Sequence, residues 1–228
     1  MSDRQHRIRP TYVWEAPVRI WHWLMALAMV VLAATGYLIG TPLPAIGGEA
    51  YDHFMLGYIR FAHFAAAYVF AVTFVLRVVW AFFGNRYSRE IFLVPLKMLT
   101  PSWWSGFIKQ TMHYLFLRRE VQPWLGHNPL AMSAMFFMYV LGTVFMICTG
   151  FALYGEAQGM QSLTFTLFTS WVMPLFGYSQ NVHTLHHLGM WYLLVFTIVH
   201  LYMVVREDTM AGETVISTMF SGWRVEKQ

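Results

Sequence analysis

Four apolar runs, each long enough to cross a hydrocarbon core, constrain this chain more than anything else in it. They cover about Val18–Ile39, Ile59–Phe83, Leu130–Leu153 and Leu185–Val205, and a core of ~30 Å takes roughly 20 helical residues. A water-soluble domain of 228 residues needs a far more polar surface than 57% hydrophobic and 11% charged residues can supply. The expected fold is therefore all-α, a transmembrane four-helix bundle, with residues 1–228 forming a single membrane-integral domain. The first run lacks a small-residue cleavage site where it ends, in TGYLIGTPLPAIGG, and reads as a retained span rather than a signal peptide. The lone Cys148 lies inside an apolar run, and no CxxCH occurs. A disulfide framework, a cysteine-bound cluster and covalent haem attachment are thereby excluded.

Two further apolar pieces do not read as spans. Ile91–Leu117 contains Pro95, Pro101, Lys97, Lys109 and the pair Trp103–Trp104, which suits interfacial helices lying on a membrane face. Ser162–Tyr178 is short and interrupted by Pro174, and is expected to be a loop element over one end of the bundle.

Basic residues set the orientation. Arg4, Arg7 and Arg9 precede the first span. Arg86, Arg89, Lys97, Lys109, Arg118 and Arg119 lie between the second and third, and Arg206, Arg224 and Lys227 follow the fourth. The connections Thr41–Tyr58 and Tyr154–His183 hold no Lys or Arg. By the positive-inside rule both termini and the long middle connection face the cytoplasm. The same asymmetry accounts for the net charge of +4 with no need for a nucleic-acid partner. Spans one and three end alike, in AATGYLIG and ICTGFALYG, a short internal repeat.

Ionisable side chains inside a bilayer are costly and mark function. With this orientation His63 and His186 fall at the outer level, and His22 and His200 at the inner one. His186 and His200 are fourteen residues apart, roughly 21 Å along a helix and within ~40° of one face. His187 falls nearly on the opposite face, and His183 is also off it. Choosing His186 over these neighbours thus rests on helical phase.

Two histidines from different helices at one depth can supply both axial ligands of a haem iron. Two such pairs would provide an electron path across the membrane, and filled axial positions favour electron transfer over catalysis. Gly36, on the face of His22 but at the outer level, and Gly150 on span three would leave room for a flat macrocycle. Arg60, Arg77 and Arg19 are candidate partners for haem propionates, although Arg60 and Arg19 also suit snorkelling to headgroups. His53, His183 and His187 read as interfacial residues. A metal-ion transporter would need polar residues at mid-depth on several helices, where these spans are largely apolar. An anchor without any cofactor would not need four histidines matched in depth and phase.

The runs EAPVRIWHW (Glu15–Trp23), GYIRFAH (Gly57–His63), WAFFGNRYSRE (Trp80–Glu90), GHNPLA (Gly126–Ala131), HTLHHLGMW (His183–Trp191), HLYMVVRED (His200–Asp208) and TVISTM (Thr214–Met219) cover most of the chain. They resemble the b-type cytochrome subunit of membrane-bound [NiFe] uptake hydrogenases and, more distantly, the cytochrome b subunit of respiratory formate dehydrogenase. That resemblance implies a bacterial inner-membrane protein holding two haem b groups. It would anchor hydrogenase small and large subunits at the periplasmic face and pass electrons from their iron–sulfur relay to membrane quinone. His22 and His200 would ligate the inner haem, His63 and His186 the outer one. By likeness to the formate dehydrogenase subunit, quinone would bind near Gly126–Pro129, with His127 and Asn128 on one side and Tyr202, Glu207 and Asp208 on the other. Asn128–Pro129 also reads as a helix cap and first turn. A formate dehydrogenase-type partner and a stand-alone b561-like electron carrier are the alternative roles.

Overall fold

The computed structural model describes residues 9–44, 47, 49, 53–118, 124–210 and 214–226. Of the basic residues used for orientation, Arg4, Arg7, Arg119 and Lys227 lie outside the described residues. Four helices are long and apolar enough to cross a membrane: Ala16–Gly40, Met55–Phe83, Pro129–Gln158 and Ser179–Met210. Each contains the expected span and runs past one or both of its ends, because polar end turns continue the backbone hydrogen bonding that hydropathy does not register. Large apolar side chains such as Leu27, Val30, Phe61 and Ile198 stand exposed along them, as lipid contact requires.

The chain divides into two compact units. One comprises residues 22–76 and 141–195, and the other residues 1–21, 77–140 and 196–228.

In the unit of residues 22–76 and 141–195, segments of all four spans pack in a closed cycle. Spans one and two meet where Thr35 bonds His63, and spans three and four where Thr149 bonds His186. Tyr68 sits edge-on to Phe151 between spans two and three, and Tyr37 edge-on to Trp191 between spans one and four. Ser162–Tyr178 is not a plain loop. It forms a helix over Phe165–Phe176, whose first part is a π-helical stretch, Phe165–Thr169. Pro174 is tolerated near its end, and Gly177, at φ +95°, stops it. Thr169 fastens this helix by donating to the Ala152 carbonyl at 2.7 Å.

The unit of residues 1–21, 77–140 and 196–228 carries the two chain ends. Arg9–Tyr12 (β1) pairs antiparallel with Trp223–Glu226 (β2), in a register of Arg9 with Glu226 and Tyr12 with Trp223. Hydropathy reasoning missed this two-stranded ribbon. It brings the ends of the described chain together. Ile91–Leu117 contains two helices, Val94–Lys97 and Pro101–Tyr114. The first has Pro95 at its second position and the second starts on Pro101, so the residues that bar a span here sit in the first turns of helices. Trp103 packs with Val94 and Met132 in a small core.

Two of the quoted motifs are hooked together in this unit. The Glu15 carboxylate accepts from Trp80 Nε1 at 3.0 Å and from the Asn85 amide at 2.9 Å, and Asn85 Nδ2 donates to the Val13 carbonyl. A Cβ on Gly84 would lie 2.3 Å from Ser88 Oγ and 2.7 Å from Glu15 Oε2. A side chain there would have to displace the Glu15 carboxylate and the groups bonded to it, where EAPVRIW and WAFFGNRYSRE cross.

Candidate functional site

His63 and His186 belong to the same unit, on spans two and four, and the His186 ring lies within electrostatic reach of His63. Each Nδ1 has a threonine partner on the preceding span. For His63 it is Thr35 Oγ1, at 2.9 Å, and for His186 Thr149 Oγ1, at 2.8 Å. Each of these threonines is followed by a glycine that faces the same imidazole. A Cβ on Gly36 would sit 3.3 Å from His63 Cε1, and one on Gly150 3.1 Å from His186 Cε1. The two Thr-Gly pairs of the internal repeat are therefore two copies of one socket.

The neighbours of His186 have other partners. His187 Nε2 accepts from Trp191 Nε1 at 3.1 Å, and its ring lies where a Cβ on Gly40 would be 3.1 Å away. His183 is exposed, its Nδ1 3.1 Å from the Ser179 carbonyl oxygen. Among the described residues no group of three or more His, Cys, Asp or Glu gathers as metal ligands do. Two imidazoles in one unit, each with its Nδ1 engaged by a threonine, suit a group that asks the protein for two axial nitrogens. These residues fit a haem.

The inner candidates are divided between the units. His22 belongs with residues 22–76, where it is half-buried beside Trp23, and His200 belongs with residues 196–228, stacked on Phe196 with ring centroids 5.7 Å apart. Their pairing rests on the sequence argument. Arg77 is 8% exposed. Its Nη2 donates to the Ser88 carbonyl at 2.5 Å and its guanidinium lies over Phe92, while Nη1 is buried with no hydrogen-bond partner among the described residues. Arg206, which sequence reasoning passed over as a mere inside charge, behaves alike. It is 7% exposed and lies over the Tyr114 and Phe116 rings, its Nη1 3.9 Å from Glu207 Oε1, and Nε and Nη1 have no hydrogen-bond partner among the described residues. Buried donors of this kind call for an acceptor, and a carboxylate or another anionic group would satisfy them. Arg60 is exposed at the start of span two, and Arg19 donates to the Phe220 carbonyl, tying the first span to the C-terminal segment.

Of the residues expected near quinone, some meet and others do not. Asn128 Oδ1 caps the third span by accepting from the Ala131 amide at 2.7 Å, and Nδ2 donates to Tyr114 Oη at 3.2 Å. Tyr114 in turn donates to Glu207 Oε1 at 2.7 Å. Burial, and then the Glu207 carboxylate, push the Tyr114 phenol up to about 12. His127 turns toward Glu90, whose carboxylate accepts the His127 amide at 3.0 Å and lies 3.5 Å from Nδ1. A Cβ on Gly126 would run into that carboxylate. Tyr202 is exposed, and Asp208 caps the final helix by accepting from the Ile216 amide at 3.0 Å. Tyr114 is the functional candidate that sequence reasoning missed. It lies on the helix Pro101–Tyr114, 14 residues from Asn128 and 93 from Glu207, and no spacing rule links the three.

Comparison with known proteins agrees with this architecture. Residues 13–222 match the family described as prokaryotic cytochrome b561. A protein of Azotobacter vinelandii named "Probable Ni/Fe-hydrogenase B-type cytochrome subunit" is 54% identical, over 99% of this chain and 94% of its own length. One of Cupriavidus necator with the same name is 53% identical, over 96% of this chain and 89% of its own. The "Probable Ni/Fe-hydrogenase 1 B-type cytochrome subunit" of Escherichia coli (strain K12) is 49% identical, over 100% and 96%. With its four membrane-length helices and a match along nearly its whole length, the chain belongs to the prokaryotic cytochrome b561 family.

Proposed function

We propose that the chain is a di-haem b-type cytochrome of the bacterial inner membrane that anchors a periplasmic-facing [NiFe] hydrogenase and conveys its electrons to membrane quinone. The observation that carries this reading is the matched pair of sockets, Thr35–Gly36 against His63 and Thr149–Gly150 against His186. The hydrogenase partner follows from the relatives' names. When bound, haem b supplies reversible one-electron chemistry at iron, and bis-histidine ligation keeps small ligands off the metal.

His63 and His186 hold the outer group, and His22 and His200 the inner one. The buried nitrogens of Arg77 and Arg206 receive anionic substituents on the cytoplasmic side. Both termini face the cytoplasm, in accord with the basic residues of the middle connection. The quinone site lies on that side also, among His127, Asn128, Tyr202, Glu207 and Asp208. What supports it is the contact of Tyr114 with both Asn128 and Glu207: Asn128 Nδ2 donates to the phenol oxygen and orients it, and the Tyr114 hydroxyl can pass a proton to a bound carbonyl and regain one through Glu207.

Affinity purification of the tagged chain from native membranes tests the partner. The hydrogenase small and large subunits are expected to come with it, and hydrogen is expected to reduce added quinone. Recovery with formate dehydrogenase-type subunits, or with no redox partner, would contradict the reading.

A further inference from the structure

The socket threonines do more than pack. Thr35 Oγ1 lies 2.6 Å from the Val31 carbonyl of its own helix, and Thr149 Oγ1 2.8 Å from that of Phe145. A hydroxyl has one proton, and in both cases the backbone carbonyl takes it. The oxygen can then only accept from the imidazole, so the ring proton sits on Nδ1 of His63 and of His186. Nε2 is left unprotonated on both rings, and the glycine beside each threonine clears the Cε1 edge. Thr149 is 1% exposed, so no water competes for its bond.

From this we infer that Thr35 and Thr149 are positioning residues that fix the tautomer and rotation of the two outer-haem ligands and strengthen Nε2 as an electron donor to iron. The inference rests on the bis-histidine reading above. A hydrogen bond accepted from Nδ1–H gives the imidazole partial imidazolate character. That character favours ferric over ferrous iron and holds the outer haem at a lower potential than an unbonded pair would give. The repeat places one such device on each ligand, so the two contributions add.

The test uses the full chain in its native complex, with Thr35→Val and Thr149→Val as near-isosteric variants and Thr35→Ser and Thr149→Ser as rescues. Each haem is titrated redox-spectroscopically and its ferric low-spin resonance recorded. Each valine variant is expected to raise one midpoint potential and shift one low-spin signal, leaving the other haem unchanged. Each serine variant should return both readings toward wild type, and the double valine variant should shift further than either single one. Loss of one haem in a valine variant with retention in its serine counterpart also supports the inference. Wild-type potentials and signals in both valine variants would overturn it, as would a shift or haem loss that serine fails to reverse. Failure of the underlying reading is seen separately, in the unmutated protein, as absence of a second haem.

Discussion

Replacing His186 by alanine should lower the haem content to about one per chain, whereas His187→Ala should leave it unchanged. A bis-histidine site that loses one of its two ligands loses most of its hold on the iron. The two residues are neighbours in sequence, but their rings differ in every respect that matters. His186 is bonded to Thr149 at 2.8 Å, faces Gly150 and lies within electrostatic reach of His63. His187 is occupied by Trp191 at 3.1 Å and sits against Gly40. His63→Ala should match His186→Ala, since the same site loses its other ligand. Haem content of the purified variants measures this directly. Retention of both haems in His186→Ala, or loss of one in His187→Ala, would refute the assignment.

The second large effect concerns quinone rather than haem. Tyr114→Phe should slow hydrogen-dependent quinone reduction by about tenfold and Glu207→Gln by about a hundredfold, the scale of losing a positioned proton donor or acceptor. Both haems should remain reducible by hydrogen, because neither residue lies at a histidine ligand. The direction of the Tyr114 shift adds a pH criterion. With the phenol pushed up to about 12, Tyr114 holds its proton throughout the neutral range. The stabilisation from its bond to Glu207 is complete below the ordinary tyrosine value near 10 and is lost as pH rises through about 12. The wild-type rate should therefore show no step assignable to this tyrosine between pH 6 and 9, a range on the order of three units below its titration. Unchanged quinone reduction in both variants would remove the run from the quinone site. Loss of a haem in Tyr114→Phe would instead tie the residue to cofactor retention.

The four spans were legible because hydrophobic length is a one-dimensional property, and their positions needed only extension at the ends. Helical phase prefers His186 to His187, since both lie on one regular helix with His200. The sockets were only half legible. TG occurs visibly at the ends of spans one and three, but its use depends on which helix lies opposite and at what height, and composition and periodicity carry no such information. The same limit hid Tyr114 and Arg206, whose partners are brought up by the tertiary fold. The bond from Glu15 to Trp80 and Asn85 shows the converse. Motifs that resemblance alone picked out have a plain structural reason for their residues, a carboxylate held at a close crossing that a side chain at Gly84 would disturb. Ser162–Tyr178 reads as a loop in the sequence because it is short and interrupted by Pro174, yet Pro174 lies in the last turn of a helix.

The central claim is that this chain holds two haems between paired histidines, and haem-to-protein stoichiometry of the purified, unmutated protein tests it most directly. A reduced-minus-oxidised spectrum of b type with two haems per chain is the predicted result. One haem per chain at full occupancy, or none, would contradict the account.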